Sequence, residues 1–449
     1  MSAGARAREL RVLIVTDQYE PMVGGVPTVT RDLARGLAGR GHAVAVVAPS
    51  ATRHGQGAPA GSTVESTAGG AVAVDFRGSL PWPWYAGQRL GVFPPGRAGQ
   101  LIRDFRPDVV HVHSPLTLGA AARPAARRRH VPVVYTNHYL PLNVWPGAAR
   151  AAAGADPASG AVSRARDAAF YALVTGFANR CDLVTAPTAT ALRLLRGHGL
   201  RAPSRAVSNG VDLRRFTPGA PDAALRSRYG LPPGRPIVLS VGRLSPEKRA
   251  DVLIAAAARL PRAGTVDRHQ DWHQDRHQDQ VPVLVLAGTG PDEGRLRSLA
   301  RHYGAADRVL FPGFIADDDL PGLYRLADVF AIASQAELQS LVTMAAMASG
   351  LPVVAVDAGA LAELVHAGDN GFLARPGNAA EIADCLDLLC RDAGARARMS
   401  RASSRIIAGH DRHRVLTRWE SIYRALAAPG PGEARGTAEE QAKVSDGQQ

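Results

Sequence analysis

The chain has 449 residues, 46% of them apolar, which is enough for two or three domains with sizeable cores and excludes disorder throughout. Lys+Arg total 53 against 40 Asp+Glu, a formal charge of +13, and only two of the basic residues are lysines, Lys248 and Lys443. That balance favours an anionic partner: a phosphorylated small molecule, an acidic membrane surface or nucleic acid. Cys181, Cys385 and Cys390 form no CxxC pair, which speaks against a disulfide scaffold or zinc ribbon and fits a reducing cytoplasm. No stretch approaches the roughly 18 apolar residues of a membrane span, and the run at 11–16 is far shorter than a signal-peptide core. A soluble, cytoplasmic protein is expected.

In chain order, RVLIVT (11–16) reads as a strand. Gly24-Gly25 then opens a helix with Val29, Leu33 and Leu37 on one face. AVAVVAP (43–49), DVVHVH (108–113), VPVVYTNH (131–138) and DLVTAP (182–187) are further strands. The pattern restarts after a Pro-containing linker, LRRFTPGAPD (213–222). Strands follow at PIVLSVG (236–242), VPVLVLAG (281–288), RVLFPG (308–313), ADVFAIAS (327–334) and LPVVAV (351–356). Nearly continuous apolar strands with helices between them indicate parallel sheets covered on both faces, hence two doubly wound α/β domains of similar size. The segment 266–280 is a low-complexity His-Gln-Asp repeat, and 429–449 reads as a disordered tail.

Ligands of such sheets bind beyond the carboxyl ends of the strands, which selects four segments. DQYEPMVGGV (17–26) offers glycines and a helix N-terminus to an anion, although a tight strand-to-helix turn also explains two glycines. VGRLSPEKRADVLI (241–254) places Arg243 and Lys248 after a strand. A planar fork and a point charge together suit a diphosphate, against the alternative of two solvated cations. LAGTGPDEGRL (286–296) puts Gly288 and Gly290 after a strand, but Glu293 stands where a dinucleotide fingerprint needs glycine, which argues against a dehydrogenase. In SQAELQSLVTMAAMASG (334–350), the amides of Gln339, Ser340 and Leu341 are expected to open a helix able to hold a phosphate, and Glu337 either faces the reacting centre or caps that helix.

These segments, in this order, resemble glycosyltransferase family 4, the retaining group 1 transferases of GT-B fold. The resemblance spans roughly residues 10–428. Its landmarks are Tyr19-x-Pro21 with Gly24-Gly25, His138 in VVYTNH, SNGVDLRRFTP (208–218), VGRLSPEK, AGTGP and ELQS…AMASGLPVVA. The ELQS and NHYLP segments look most like members that move a hexose to lipid-linked or small polyol acceptors. The resemblance implies a nucleotide-diphosphate-sugar donor, uridine or guanosine, and no metal. It gives Gly24 and Gly25 to donor phosphates or acceptor, His138 to the transferred sugar and Asn209 to the cleft. Arg243 and Lys248 go to the leaving diphosphate, Gly288 and Gly290 to close approach of the nucleotide, and backbone around Gly313, Phe314 and Ile315 to the base edge. Glu337 goes to sugar hydroxyls. His138, by its own position, could equally be a strand-end core histidine.

The resemblance also implies an N-terminal acceptor-side domain over 1–212 with a returning helix at 413–428, and a nucleotide-sugar domain over 213–412. One departure stands out. The family's second Glu, which holds the ribose diol, is Ala345 here, so a catalytically weak or dead sugar-nucleotide-binding protein is the alternative. Nucleic-acid binding has no motif to support it. The cluster Arg127-Arg128-Arg129-His130 could touch an acidic membrane, with a solvated helix end as the plainer reading, and His269, His273 and His277 of the repeat could line one helix face, with a solvated loop as the plainer reading.

Overall fold

The computed structural model describes residues 8–49, 52–53, 56–57, 61–67, 70–81, 89–91, 96–144, 157–261 and 281–428. The His-Gln-Asp repeat and the tail from 429 lie outside the described residues. The first unit contains β1 (Arg11–Val15), β2 (Ala43–Pro49), β3 (Gly61–Thr67), β4 (Gly70–Arg77), β5 (Val109–Val112), β6 (Val133–Thr136), β7 (Leu183–Ala186) and β8 (Ser204–Ala206). They form one sheet in the order β8-β7-β6-β5-β1-β2-β4-β3, parallel except that β3 pairs antiparallel with β4. The second unit contains β9 (Ile237–Val241), β10 (Val283–Ala287), β11 (Val309–Gly313), β12 (Val329–Ile332), β13 (Val353–Val356) and β14 (Gly371–Ala374). Its order is β11-β10-β9-β12-β13-β14, all parallel.

The β-branched runs VLIV, VVHV and VVAV are buried on both faces, as strands sandwiched between helices must be. The hairpin β3–β4 and the edge strand β14 have no such run and escaped the sequence reading. GSTVEST is polar, and Val72 and Val74 of β4 alternate into the core. An edge strand is decided by the sheet it joins more than by its own residues.

The helices used below are α1 (Gly25–Ala38), α2 (Thr117–Arg127), α3 (Pro157–Ala178), α4 (Ala189–Gly197), α5 (Ala250–Arg259), α6 (Leu341–Ala348) and α7 (Arg412–Ala427). The chain crosses between units twice, and the crossings pair with each other. The N–H of Val211 donates to the His410 carbonyl at 2.9 Å, and the N–H of Arg412 to the Val211 carbonyl at 2.9 Å. Beyond that point α7 packs on the first unit, burying Val415, Leu416, Trp419 and Ile422 with Val12, Ile14, Val44 and Val46. Tyr423 completes the contact, its hydroxyl 2.7 Å from His111 Nδ1 inside the sheet layer.

Strand order reverses between β1 and β5 in the first unit and between β9 and β12 in the second. A crevice opens where neighbouring connections leave in opposite directions. The loops after those four strands carry Asp17, His113 and Ser114, Arg243, and Glu337.

Candidate active site

The second unit's half is built by two loops that hydrogen-bond to each other beyond β9 and β10. Gly242 N–H donates to the Ala287 carbonyl at 2.9 Å, Leu244 N–H to Thr289 at 3.0 Å, and Asp292 N–H to Leu244 at 3.0 Å. The two chains are so close that a Cβ on Gly288 would sit 2.0 Å from the Gly242 carbonyl oxygen, and one on Gly290 2.2 Å from that of Leu244. Gly288 also has a φ of +136°. Backbone packing thus requires both glycines, independently of any ligand. The Gly313 carbonyl is occupied by the Gly288 N–H at 2.8 Å, while Phe314 beside it is 62% exposed and Ile315 is buried.

This pairing fixes the loop bearing Arg243 and the short 3-10 turn Pro246–Lys248. Lys248 Nζ lies 2.7 Å from Glu337 Oε1. Next to Lys248, buried Glu247 accepts the Ser245 hydroxyl on Oε1 and has no partner for Oε2.

Glu337 is held from both units. Its neighbours Ala336 and Leu338 pack in the first unit's core, and the Thr188 hydroxyl donates to the Leu338 carbonyl at 2.8 Å. From the second unit, Ala360 N–H donates to the Glu337 carbonyl at 3.0 Å. Glu337 does not cap the following helix. Ser340 does, its Oγ accepting the Thr343 N–H at 3.3 Å. The helix therefore opens at Leu341, one to two residues later than the amide set drawn from sequence. Gln339 precedes it and reaches sideways, its Oε1 accepting the Asn209 N–H at 2.8 Å.

On the first unit, α1 opens at Gly25, and a Cβ there would meet Leu341 Cδ1 at 3.7 Å, so the two helix N-termini approach across the cleft. His138 Nε2 lies 2.8 Å from His113 Nδ1 with the rings stacked, and His113 in turn contacts His111 at 4.1 Å between ring centres. Burial lowers the His138 imidazolium to about 4 and pushes His111 and His113 well below the ordinary histidine range, so the three are neutral at pH 7. Asp17 is 5% exposed. Its Oδ1 accepts from the Thr117 hydroxyl at 3.1 Å and the Gly91 N–H at 3.3 Å, and its Oδ2 has no partner among the described residues. Ser114 joins this group, accepting the Asp17 N–H at 2.9 Å and lying 2.8 Å from the Tyr139 hydroxyl.

Burial raises the Asp17 carboxyl to about 7. A raised carboxylate pKa contributes stability present below the unfolded value near 4 and lost as pH rises through 7. The depressed histidines act oppositely, losing stability as pH falls below 6.5. The difference between wild type and Asp17→Asn isolates the first effect. The variant is expected to be the more stable, by a margin that grows between pH 4 and 7 to at most about 4 kcal/mol, read from denaturant melts across that range.

Arg243, Lys248, Glu337, His138 and Asp17 line one cavity of ≈ 1250 Å³ between the units. That exceeds the about 300–1,000 Å³ of a typical small-molecule site. Of the residues nominated from the sequence, Gly24, Gly25, His138, Asn209, Arg243, Lys248, Gly288, Gly290, Phe314, Ile315, Glu337, Gln339, Ser340 and Leu341 are in its wall, as is Ala345, whereas Gly313 is not. Asp17, Tyr139 and Glu247 line it as well and were not nominated. The available signal for Asp17 was an acid directly after a buried strand. The first unit's wall is apolar around Leu116, Val144, Phe170, Leu173 and Val174. Tyr171 and Phe177 of α3 pack in the core, whereas Leu173 is 51% exposed. Arg127–His130 are exposed at the end of α2, which runs away from the cleft. Among the described residues no group of three or more His, Cys, Asp or Glu is placed to hold a metal, and no helix is long and apolar enough to cross a membrane.

Two facing doubly wound units, a paired double crossing, a returned last helix and one cavity between the carboxyl ends define a GT-B glycosyltransferase. The chain belongs to that class by sequence also: residues 23–215 match the model of Glycosyltransferase Family 4, and residues 222–405 that of Glycosyl transferases group 1. It is 32% identical to a GDP-mannose-dependent alpha-mannosyltransferase of Mycobacterium tuberculosis over 81% of this chain and 83% of that protein. It is 26% identical to an alpha-monoglucosyldiacylglycerol synthase of Streptococcus pneumoniae over 77% of this chain and 71% of that one. Among solved structures, Anabaena HepE in complex with UDP-glucose superposes with a TM-score of 0.68 at 20% identity, covering 93% of this chain and all of that one. The protein is a nucleotide-sugar-dependent glycosyltransferase.

Proposed function

We propose that the protein moves a hexose, with retention, from a guanosine- or uridine-diphosphate sugar bound to residues 213–412 onto a hydroxyl of an amphipathic acceptor bound to residues 1–212. The carrying observation is the meeting of Arg243, the Lys248–Glu337 pair and the N-terminus of α6 in one cavity whose opposite wall includes the apolar side chains of Leu116, Val144, Phe170 and Leu173. Arg243, Lys248 and the free amides opening α6 hold the diphosphate and stabilise the charge that grows on it as the glycosidic bond breaks. The acceptor oxygen attacks from the same face, so no protein nucleophile is needed. Glu337 and His138 hold sugar hydroxyls. Gly24 and Gly25 let the backbone approach donor phosphates or acceptor, Asn209 sits at the crossing, and the chain at Phe314 and Ile315 meets the base. Leu173 and Phe170 supply the surface for the acceptor's apolar part. Exposed Leu173 in the cavity wall favours peripheral contact with a membrane surface more than the Arg127–His130 cluster does.

The relative named for GDP-mannose makes that donor the first to test. Ala345 lies on α6 in the cavity wall, 5% exposed, so a carboxylate placed there reaches the donor side. Calorimetry with GDP-, UDP- and ADP-sugars is expected to show one donor binding to wild type, and binding about 10- to 100-fold tighter in Ala345→Glu, the worth of one charged hydrogen bond pair. If neither protein binds any of the three, this donor site is wrongly assigned.

A further inference from the structure

Asp17 stands apart from the rest of the cavity wall. It follows β1 at the first unit's switch point, on the acceptor side of the cleft. Its donors are all on one side. The Thr117 hydroxyl and the Gly91 N–H both reach Oδ1, and Ser114 is a further hydrogen-bonding neighbour of the carboxylate. Oδ2 is buried and meets none among the described residues. No cation pairs with the carboxylate among the described residues, so only hydrogen bonds to Oδ1 offset its burial there. Such a group costs stability, because a carboxylate taken from water without a donor loses its hydration. Thr117 and Gly91 hold Oδ1, Ser114 holds the Asp17 main-chain N–H, and the second oxygen is left for an outside donor. Leu116, Phe170 and Leu173 line the same cavity together with His138, Tyr139 and Arg166, so a molecule filling this end meets both polar groups and hydrocarbon.

Resting on the proposed function, we infer that Asp17 Oδ2 accepts a hydrogen bond from the hydroxyl group of the acceptor, orienting it in the cleft, and that the acceptor is a hydroxylated headgroup joined to an apolar chain. Accepting that hydrogen bond also turns a lone pair of the hydroxyl oxygen away from Asp17 and toward the cleft. The carboxylate satisfies on binding a group that the empty cleft leaves unsatisfied. Stability of the free protein and affinity for the acceptor therefore pull in opposite directions at this one residue.

The test compares wild type, Asp17→Asn and Asp17→Ala in three measurements. Melting temperature is measured without substrate. Donor affinity is measured by calorimetry. Initial rates are measured at saturating donor, with a short-chain diacylglycerol and with free glycerol as acceptor probes, and with water as acceptor through donor hydrolysis. Asp17→Asn is expected to melt no lower than wild type and to bind donor within about twofold of it. Its kcat/KM for acceptor is expected to fall about 10- to 100-fold, as loss of a hydrogen bond to a charged group does. The diacylglycerol is expected to be used better than glycerol. Water takes the acceptor's place when none is bound, so donor hydrolysis falls with transfer. Unchanged acceptor kinetics and hydrolysis in both variants would overturn the role of Asp17. So would a lowered melting temperature with donor and acceptor binding weakened alike, which marks a structural group. Glycerol used as well as the diacylglycerol overturns the apolar part. Wild type that turns over no donor, even to water, removes instead the transferase reading on which the inference rests.

Discussion

Replacing Arg243 by Ala is expected to lower kcat/KM for sugar transfer by about 10²–10³-fold, and replacing Lys248 by Ala to do the same. Each removes one preorganised positive group from the place where leaving-group charge develops, and one such group is commonly worth that much. The two variants should differ in stability. Lys248 Nζ is paired at 2.7 Å with Glu337, whose side chain is mostly buried, so Lys248→Ala leaves an uncompensated carboxylate and melts lower. Combining Lys248→Ala with Glu337→Gln is expected to restore the melting temperature and leave transfer impaired. Arg243→Ala is expected to lose transfer without leaving Glu337 uncompensated, because the Lys248–Glu337 pair stays in place. Steady-state kinetics with differential scanning calorimetry on the four proteins checks both parts. Wild-type transfer by Arg243→Ala would mean that the diphosphate is held elsewhere.

The second large effect is expected at Gly288. A Cβ there would stand 2.0 Å from the Gly242 carbonyl oxygen, on a backbone with φ of +136°. The clash is with main chain, which cannot swing aside as a side chain can. The loops after β9 and β10 must part, breaking the Gly242–Ala287 and Leu244–Thr289 hydrogen bonds that position Arg243. Gly288→Ala is expected to cost on the order of 3 kcal/mol from overpacking and backbone strain together. It should weaken donor binding as well, because Arg243 moves with its loop. Gly294→Ala is the control. It lies in the helix Glu293–His302, nothing lies within 4 Å of its Cβ position, and replacing an exposed helical glycine is neutral or stabilising by up to about 1 kcal/mol. Urea denaturation followed by donor titration distinguishes them. Equal stability of the two variants would show that the loops are not packed as described.

Much was legible in the sequence because it is local. A buried parallel strand writes itself as a continuous β-branched run, so β1, β5, β6, β9, β12 and β13 could be read directly. The rule that ligands bind at the carboxyl ends then turned strand positions into the loops holding Gly24, Arg243, Gly288 and Glu337. Family landmarks added His138, Asn209 and the base-side residues.

What the sequence left open depends on groups far apart in the chain. That Glu337 pairs with Lys248, 89 residues away, and that Ser340 instead caps α6 are facts of packing between loops. The need for glycine at 288 and 290 comes from Gly242 and Leu244, not from the local turn. Asp17 reads in the sequence as one acid among 40 Asp and Glu. Only the folded arrangement, with Gly91 and Thr117 on Oδ1 and hydrocarbon across the cavity, makes it a buried carboxylate with one oxygen left over. Secondary structure and loop placement follow from periodicity along the chain. Burial, pairing and an unsatisfied valence exist only after distant segments meet, and there the tertiary structure decided.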